Sequence, residues 1–384
     1  MRRRYPRTVG YLPADQGPNL IGMPAPTRAQ TRERLVRVAD SSVNPLALFG
    51  EVAEVLRDAM PLDGWCGHTL DPATAMPTGG DSREGYKQQL VTRLLEIEYR
   101  VGDVNPFNGL LQLDSPVGTI REATGGAPET SPRYREVVIP SGFEHEMRIV
   151  FRHQGRPWGA IVLLRADDAP AFDVRDAELM AAVSTPMATA IKRGLLQDYV
   201  EAGGVPEHAG LLLLDDGFRI ETATPEASRW LEQLSDGDAD VPLSVVALAS
   251  TAADSAGTPV RSRARVSSGA WVTMTAWSIG EYRTAVSLES SAPHDLTALA
   301  LEAYSLSDRE RQVVELVLLG FSTAQIGERL FLSPYTVQDH LKAVFDKTGV
   351  RSRRELAADL FFRHYLPRIE RGSALNPDGW FADA

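Results

Sequence analysis

A chain of 384 residues with a formal net charge of −11 is too long for one ordinary domain and reads as roughly two or three. Its single cysteine, Cys66, excludes an intramolecular disulfide and a cysteine-based zinc site, and fits a small buried apolar residue. No run approaches about 18 consecutive apolar residues, and Arg2, Arg3 and Arg4 precede no apolar core, so neither a membrane span nor a secretory signal is expected and the chain is placed in the cytoplasm.

Residues 1–27 are rich in Arg, Pro and Gly, lack periodicity and read as a flexible arm, with Met1 and Met23 both open as translation starts. A helical stretch begins at about Thr27. A second, from Pro45 to Met60, carries Leu46, Phe49, Val52, Val55, Leu56 and Ala59 on one face. Asp63-Gly64 breaks it, Trp65 to Leu70 reads as a strand, and a long helix is expected over Arg83 to Tyr99. Residues 102–132 hold many Gly, Pro and Asn and read as loop with short helical pieces. Strands Glu146–His153 and Trp158–Arg165 flank Gln154-Gly155, a hairpin signal. Asp173 then caps a long helix with Asp176 at the box position, and Pro186 is expected to kink it.

This order over 28–200 resembles a GAF sensor domain, most of all in Pro157-Trp158-Gly159-Ala160-Ile161-Val162-Leu163, Phe172 and the capped helix. The resemblance implies an antiparallel sheet flanked by helices with a pocket on one face, open to a small-molecule effector. Trp65, Tyr99, Phe107, Phe143, Met147 and Phe151 are the candidates to line it, with ordinary core packing the alternative for each.

Residues 205–290 hold a second unit. Leu211–Leu214 is a short buried-strand run, Asp215-Asp216-Gly217 turns it, and Phe218–Thr222 returns. Thr224 to Leu234 is a helix with Ala227, Trp230, Leu231 and Leu234 inward, residues 235–260 are part helix and part loop, and Arg261–Ser267, Ala270–Ser278 and Arg283–Glu289 are further strands. The order resembles a PAS-like module. Trp271 and Trp277 alternate with polar neighbours, as on a half-buried strand, and a linker helix is expected over 293–304. No fixed period suggests repeats.

The stretch 305–366 carries the most specific pattern. Ser307 with Glu310, Ser322 with Gln325 and Ser352 with Glu355 form capping boxes, and Ser333-Pro334 opens a further helix. Gly320 and Gly349 stand where helices end, and Gly327 lies mid-helix where backbones must approach. In the third helix Val337, Leu341, Val344, Phe345 and Thr348 form an inner face opposite Tyr335, Gln338, Asp339, Lys342 and Asp346.

The register of Leu306, Arg309, Glu310, Gly320, Ser322, Ile326, Leu330, Ser333, Thr336, Val337, His340, Lys347, Gly349, Val350, Arg353 and Leu356 resembles the LuxR-type DNA-binding domain. That family usually has Glu-Ile-Ala where this chain has Gln325-Ile326-Gly327, and Asp339 puts an acid on the expected base-facing surface. The resemblance implies a third helix in the major groove of double-stranded DNA, with Gln338, Asp339 and Lys342 toward base edges. Tyr335, Thr336, Lys347, Arg351, Arg353 and Arg354 would contact the backbone, and a homodimer would read two half-sites. Residues 367–384 form a tail.

The sequence lacks GxxxxGK[ST], HExxH and GxSxG motifs, and its histidines show no helical metal-ligand spacing. Strand alternation puts neighbours of the Glu144-His145-Glu146 triple on opposite faces, so loop or strand-edge solvation is expected there rather than catalysis. The fold class expected is α+β sensor units with antiparallel sheets flanked by helices, followed by an all-α tetrahelical helix-turn-helix domain. The function expected is a DNA-binding regulator, not an enzyme, with no cofactor. The alternative is a protein-interaction module acting on another regulator without reading sequence.

Overall fold

The computed structural model describes residues 26–356 apart from 43, 82–83, 198–207, 235–239, 256, 281, 292–303, 305 and 319. Most of the expected arm, nearly all of the expected linker helix, and the tail lie outside the described residues.

Thr27 caps α1 (Arg28–Ser41) through a reciprocal box with Gln30, and α2 (Ala47–Arg57) follows. After β1 (Gly64–Leu70) and β2 (Pro77–Asp81) comes α3 (Val91–Glu96), entered through a tight turn over Gln88–Leu90 and left through a wide turn over Ile97–Val101. The long helix expected from Arg83 therefore starts later. The region expected to be loop holds α4 (Phe107–Gln112), β3 (Val117–Thr119) and α5 (Ile120–Ala123), and α6 (Ile139–Ser141) leads to the central hairpin. There β4 (His145–His153) and β5 (Arg156–Arg165) meet at Gln154 and Gly155, whose φ values of 50° and 76° are those a two-residue hairpin turn requires. The helix α7 (Val174–Gln197) runs through Pro186, and its start is closed by Asp173 and Asp176.

The first sheet is antiparallel in the order β2-β1-β5-β4-β3. Alternation divides its residues between two cores. Trp65, Met147, Ile149, Phe151, Ile161 and Leu163 face α1, α2 and α7, whereas Val150, Ala160, Val162 and Leu164 join Phe107, Leu110, Tyr134 and Val137 on the other face. Gly67 opens room on the helical face, where an added Cβ would come within 2.4 Å of the Phe49 ring.

The second unit comprises β6 (Gly210–Leu214), β7 (Ile220–Ala223), α8 (Pro225–Leu234), α9 (Leu243–Ala253), β8 (Val260–Arg265), β9 (Trp271–Ile279) and β10 (Arg283–Ser290). Its sheet runs β7-β6-β10-β9-β8, the same relative order as the first. Ala227, Trp230, Leu231 and Leu234 point inward, and Trp271 is buried while Trp277 is half-buried.

The two units pack on each other. Asp71 after β1 receives Arg263 of β8 in a buried bidentate pair, Nε to Oδ2 at 2.9 Å and Nη2 to Oδ1 at 2.8 Å. Thr74 and Ser262 hydroxyls lie 3.0 Å apart, and Met76 and Leu95 enter the second core. The edge strand β2, Pro-Thr-Gly-Gly-Asp, has no apolar alternation and was not expected as a strand; its pairing with β1 makes it one.

The C-terminal unit consists of α10 (Asp308–Leu318), α11 (Thr323–Leu330) and α12 (Pro334–Thr348) around Val313, Val314, Ile326, Val337, Leu341 and Val344. A fourth helix begins at Arg353.

Candidate nucleic-acid interface

Each helix of the C-terminal unit is set by local chemistry. Glu310 closes the first, accepting from the Ser307 amide at 2.6 Å while Ser307 Oγ accepts from the Glu310 amide at 3.3 Å. Gly320 at φ 83° takes the chain out of α10. The Ser322–Gln325 box is reciprocal, at 2.8 and 3.4 Å. The turn after α11 uses Phe331 at φ 56°, and the Leu332 amide donates to the Gly327 carbonyl at 2.8 Å. A Cβ at 327 would stand 2.7 Å from the Leu332 carbonyl oxygen, so the close approach that uses this glycine is to the turn, not to a crossing helix. Ser333 caps α12, accepting from the Thr336 amide at 3.0 Å, with Pro334 in the first helical turn.

The faces of α12 separate as periodicity requires. Val337, Leu341 and Val344 are buried, and Gln338, Asp339 and Lys342 are exposed together on the outer face. Tyr335 is 73% exposed at its start, beside Phe331, which is 95% exposed. Thr336 is half-buried, its hydroxyl 2.8 Å from that of Ser333. Arg351 and Arg354 are exposed.

Two expected backbone contacts have partners inside the unit. Lys347 Nζ donates to Glu310 Oε2 at 2.6 Å, and Arg353 Nη2 donates to the Phe321 carbonyl. Burial of Glu310 raises its carboxyl pKa, but the hydrogen bonds from Lys347 and Ser307 outweigh this and hold it below the usual range. Arg329 lies over the Phe321 ring at 3.8 Å.

The six residues expected to line a sensor pocket are not brought together. Trp65, Met147 and Phe151 are packed in the core beneath α1, α2 and α7, and Phe143 packs against the opposite core. Only Tyr99 and Phe107 reach the wall of a cavity of about 980 Å³, which opens on the other face of the sheet. Alternation is the reason: Trp65 and Gly67 point one way, and Cys66 and His68 point the other. The missed lining residues, His68 and Arg148, could have been found as polar positions on otherwise apolar strands.

Glu146 also departs from the solvated setting expected. It is 1% exposed and is held by Arg133 (Nη2–Oε1 3.0 Å) and by the Tyr86 hydroxyl. Burial raises the Glu146 pKa, but Arg133 and Arg148 lower it further, so the carboxyl stays ionised below its ordinary value. His145 is half-buried against the Ala169 carbonyl at 3.2 Å. Among the described residues no group of His, Cys, Asp and Glu is arranged to hold a metal ion, and no helix is long and apolar enough to cross a membrane.

Three capped helices, with the third presenting a polar face and anchored by an apolar one, define a helix-turn-helix protein. Residues 304–359 match the family described as bacterial regulatory proteins, luxR family. The chain is 36% identical over 55 residues to the spore germination protein GerE of Bacillus subtilis, covering 14% of this chain and 74% of that protein. It is 36% identical over 64 residues to the transcriptional regulatory protein DesR of Bacillus subtilis, covering 17% of this chain and 32% of that protein. An HTH-type transcriptional regulator of Mycobacterium bovis is 52% identical over 52 residues, 14% of this chain. The chain spans 6% of the length of that mycobacterial relative. The chain belongs to the luxR family of bacterial regulatory proteins.

Proposed function

We propose that this protein is a cytoplasmic DNA-binding transcriptional regulator in which α12 enters the major groove and the two sheet units decide when it does so. The observation that carries this is the exposed Gln338, Asp339 and Lys342 face on a helix locked from behind by Val337, Leu341 and Val344. Lys342 can donate to guanine, Gln338 can pair with adenine, and Asp339 can accept from cytosine N4. Tyr335, Thr336, Arg351 and Arg354 are the phosphate-facing groups. Lys347 and Arg353 join them by exchanging their internal partners for phosphate.

Acting as a homodimer, the protein doubles these contacts and reads two half-sites. The acidic whole-chain charge keeps binding modest, and the phosphate contacts make it salt-sensitive. Two antiparallel sheets of the same strand order, each flanked by helices, support reading 28–200 as GAF-like and 205–290 as PAS-like, and sensing is the role these resemblances imply. An effector works by preferring one arrangement of the units.

Sequencing genomic fragments that co-purify with the full chain tests the function and yields the site. Lys342→Ala is expected to weaken the cognate site by about 1–3 kcal/mol and relax preference at one base position. Retention of no duplex at low salt would transfer the helix-turn-helix to a protein-docking role.

A further inference from the structure

The cavity lies where the two sheet units meet. The first unit contributes Cys66 and His68 of β1, Tyr99 and Phe107, and Arg148 of β4; the second contributes Val246 of α9. Exposed residues stand at its rim, Gln89 and Thr92 on one side, Arg219 and Asp240 on the other. About 980 Å³ is at the upper end of the range for small-molecule sites.

Its chemistry is specific. Arg148, over the Phe107 ring at 3.8 Å, is paired with Glu98 at 2.8 Å, and both side chains are buried, so their charges cancel at the wall. The His68 and Phe107 rings stand nearly perpendicular, 5.1 Å between centroids. Burial, and then the charge of Arg148, push the His68 pKa down to about 3, so the imidazole is neutral at any physiological pH. Burial pushes the Cys66 thiol up to about 12, so no thiolate forms. Two polar atoms of these wall residues, His68 Nε2 and Arg148 Nε, are buried with no hydrogen-bond partner in the protein. Buried polar atoms are rarely left so.

We propose that this junction cavity binds a neutral, partly aromatic small molecule, packed against Tyr99 and Phe107 and hydrogen-bonded to His68, and that its occupancy tightens the packing of the two sheet units. An anion would find the Arg148 charge already met by Glu98, and either kind of ion would lose its hydration. The proposal rests on the sensing role given to these units. It differs from a pocket inside either sheet unit, because neither unit encloses the site alone.

The test titrates the full-length chain with indole and phenol as neutral aromatic probes and benzoate as the anionic counterpart, by saturation-transfer NMR and by melting. Expected are saturable binding of a neutral probe with a rise in melting temperature, and benzoate at least tenfold weaker than phenol. His68→Phe should weaken the neutral probe at least fivefold. Thr92→Trp, a change at an exposed helix position that closes the rim without disturbing a core, should abolish binding. No saturable binding of either neutral probe, or binding unchanged in Thr92→Trp, overturns the proposal. Duplex retention by the same preparations is scored separately. A chain that binds DNA but no probe loses the cavity ligand and keeps the regulator reading; one that binds probe but no DNA does the reverse.

Discussion

Single atoms decide several features of this protein. An added Cβ at Gly210 would come within 2.5 Å of the Ala227 backbone, because α8 rests directly on β6. Backbone cannot rotate away as a side-chain tip can, so Gly210→Ala is expected to destabilise the chain by about 1–3 kcal/mol. Urea unfolding with an unchanged midpoint would contradict it. In a sequence, such a glycine looks like any other loop-to-strand punctuation; only the helix above it shows why it is small. Glu146 teaches the same lesson with charge. Alternation correctly put it opposite His145, but a strand position does not say whether the face it points to is water or a buried guanidinium.

At the scale of elements, the helix-turn-helix is joined end to end by one ion pair. Lys347 at the end of α12 and Ser307 before α10 both bind the Glu310 carboxylate. Since the folded carboxyl titrates below its ordinary value of 4.5, its stabilisation is fully present above that pH. It is lost as pH falls through the lower folded value. Glu310→Gln is therefore expected to lower the melting temperature at neutral pH, with the gap to the native chain closing toward pH 3. A gap constant over that range would show that the carboxylate charge is irrelevant. The caps of α10, α11 and α12, the proline at the start of α12 and its two faces were legible in the sequence, because each depends on residues within about four positions. The expected Ser352–Glu355 box forms in one direction only, since the Glu355 carboxylate accepts from the Arg351 amide. The internal engagement of Lys347 and Arg353 was not, since their partners lie 37 and 32 residues away.

For the whole molecule, the Asp71–Arg263 pair is the buried ion pair among the contacts that join the two sheet units. Removing the charge from one partner of a buried pair is costly. Asp71→Asn is expected to destabilise the packed units by about 3–5 kcal/mol and to split one unfolding transition into two, read by calorimetry. A single unshifted transition would show that the apolar contacts of Met76 and Leu95 suffice. The sequence by itself determined the longer helices and strands of each unit, their periods, the capping boxes of the first two C-terminal helices and the resemblance of that unit to its family, because these are written in neighbouring residues. The tertiary structure alone decided that Pro77–Asp81 is a strand, that the two sheets share an order without sharing residues, and that the cavity lies at their junction rather than behind Trp65, Met147 and Phe151. Those outcomes depend on which surfaces meet across some two hundred residues, and local pattern carries no information about the partner that will cover a face.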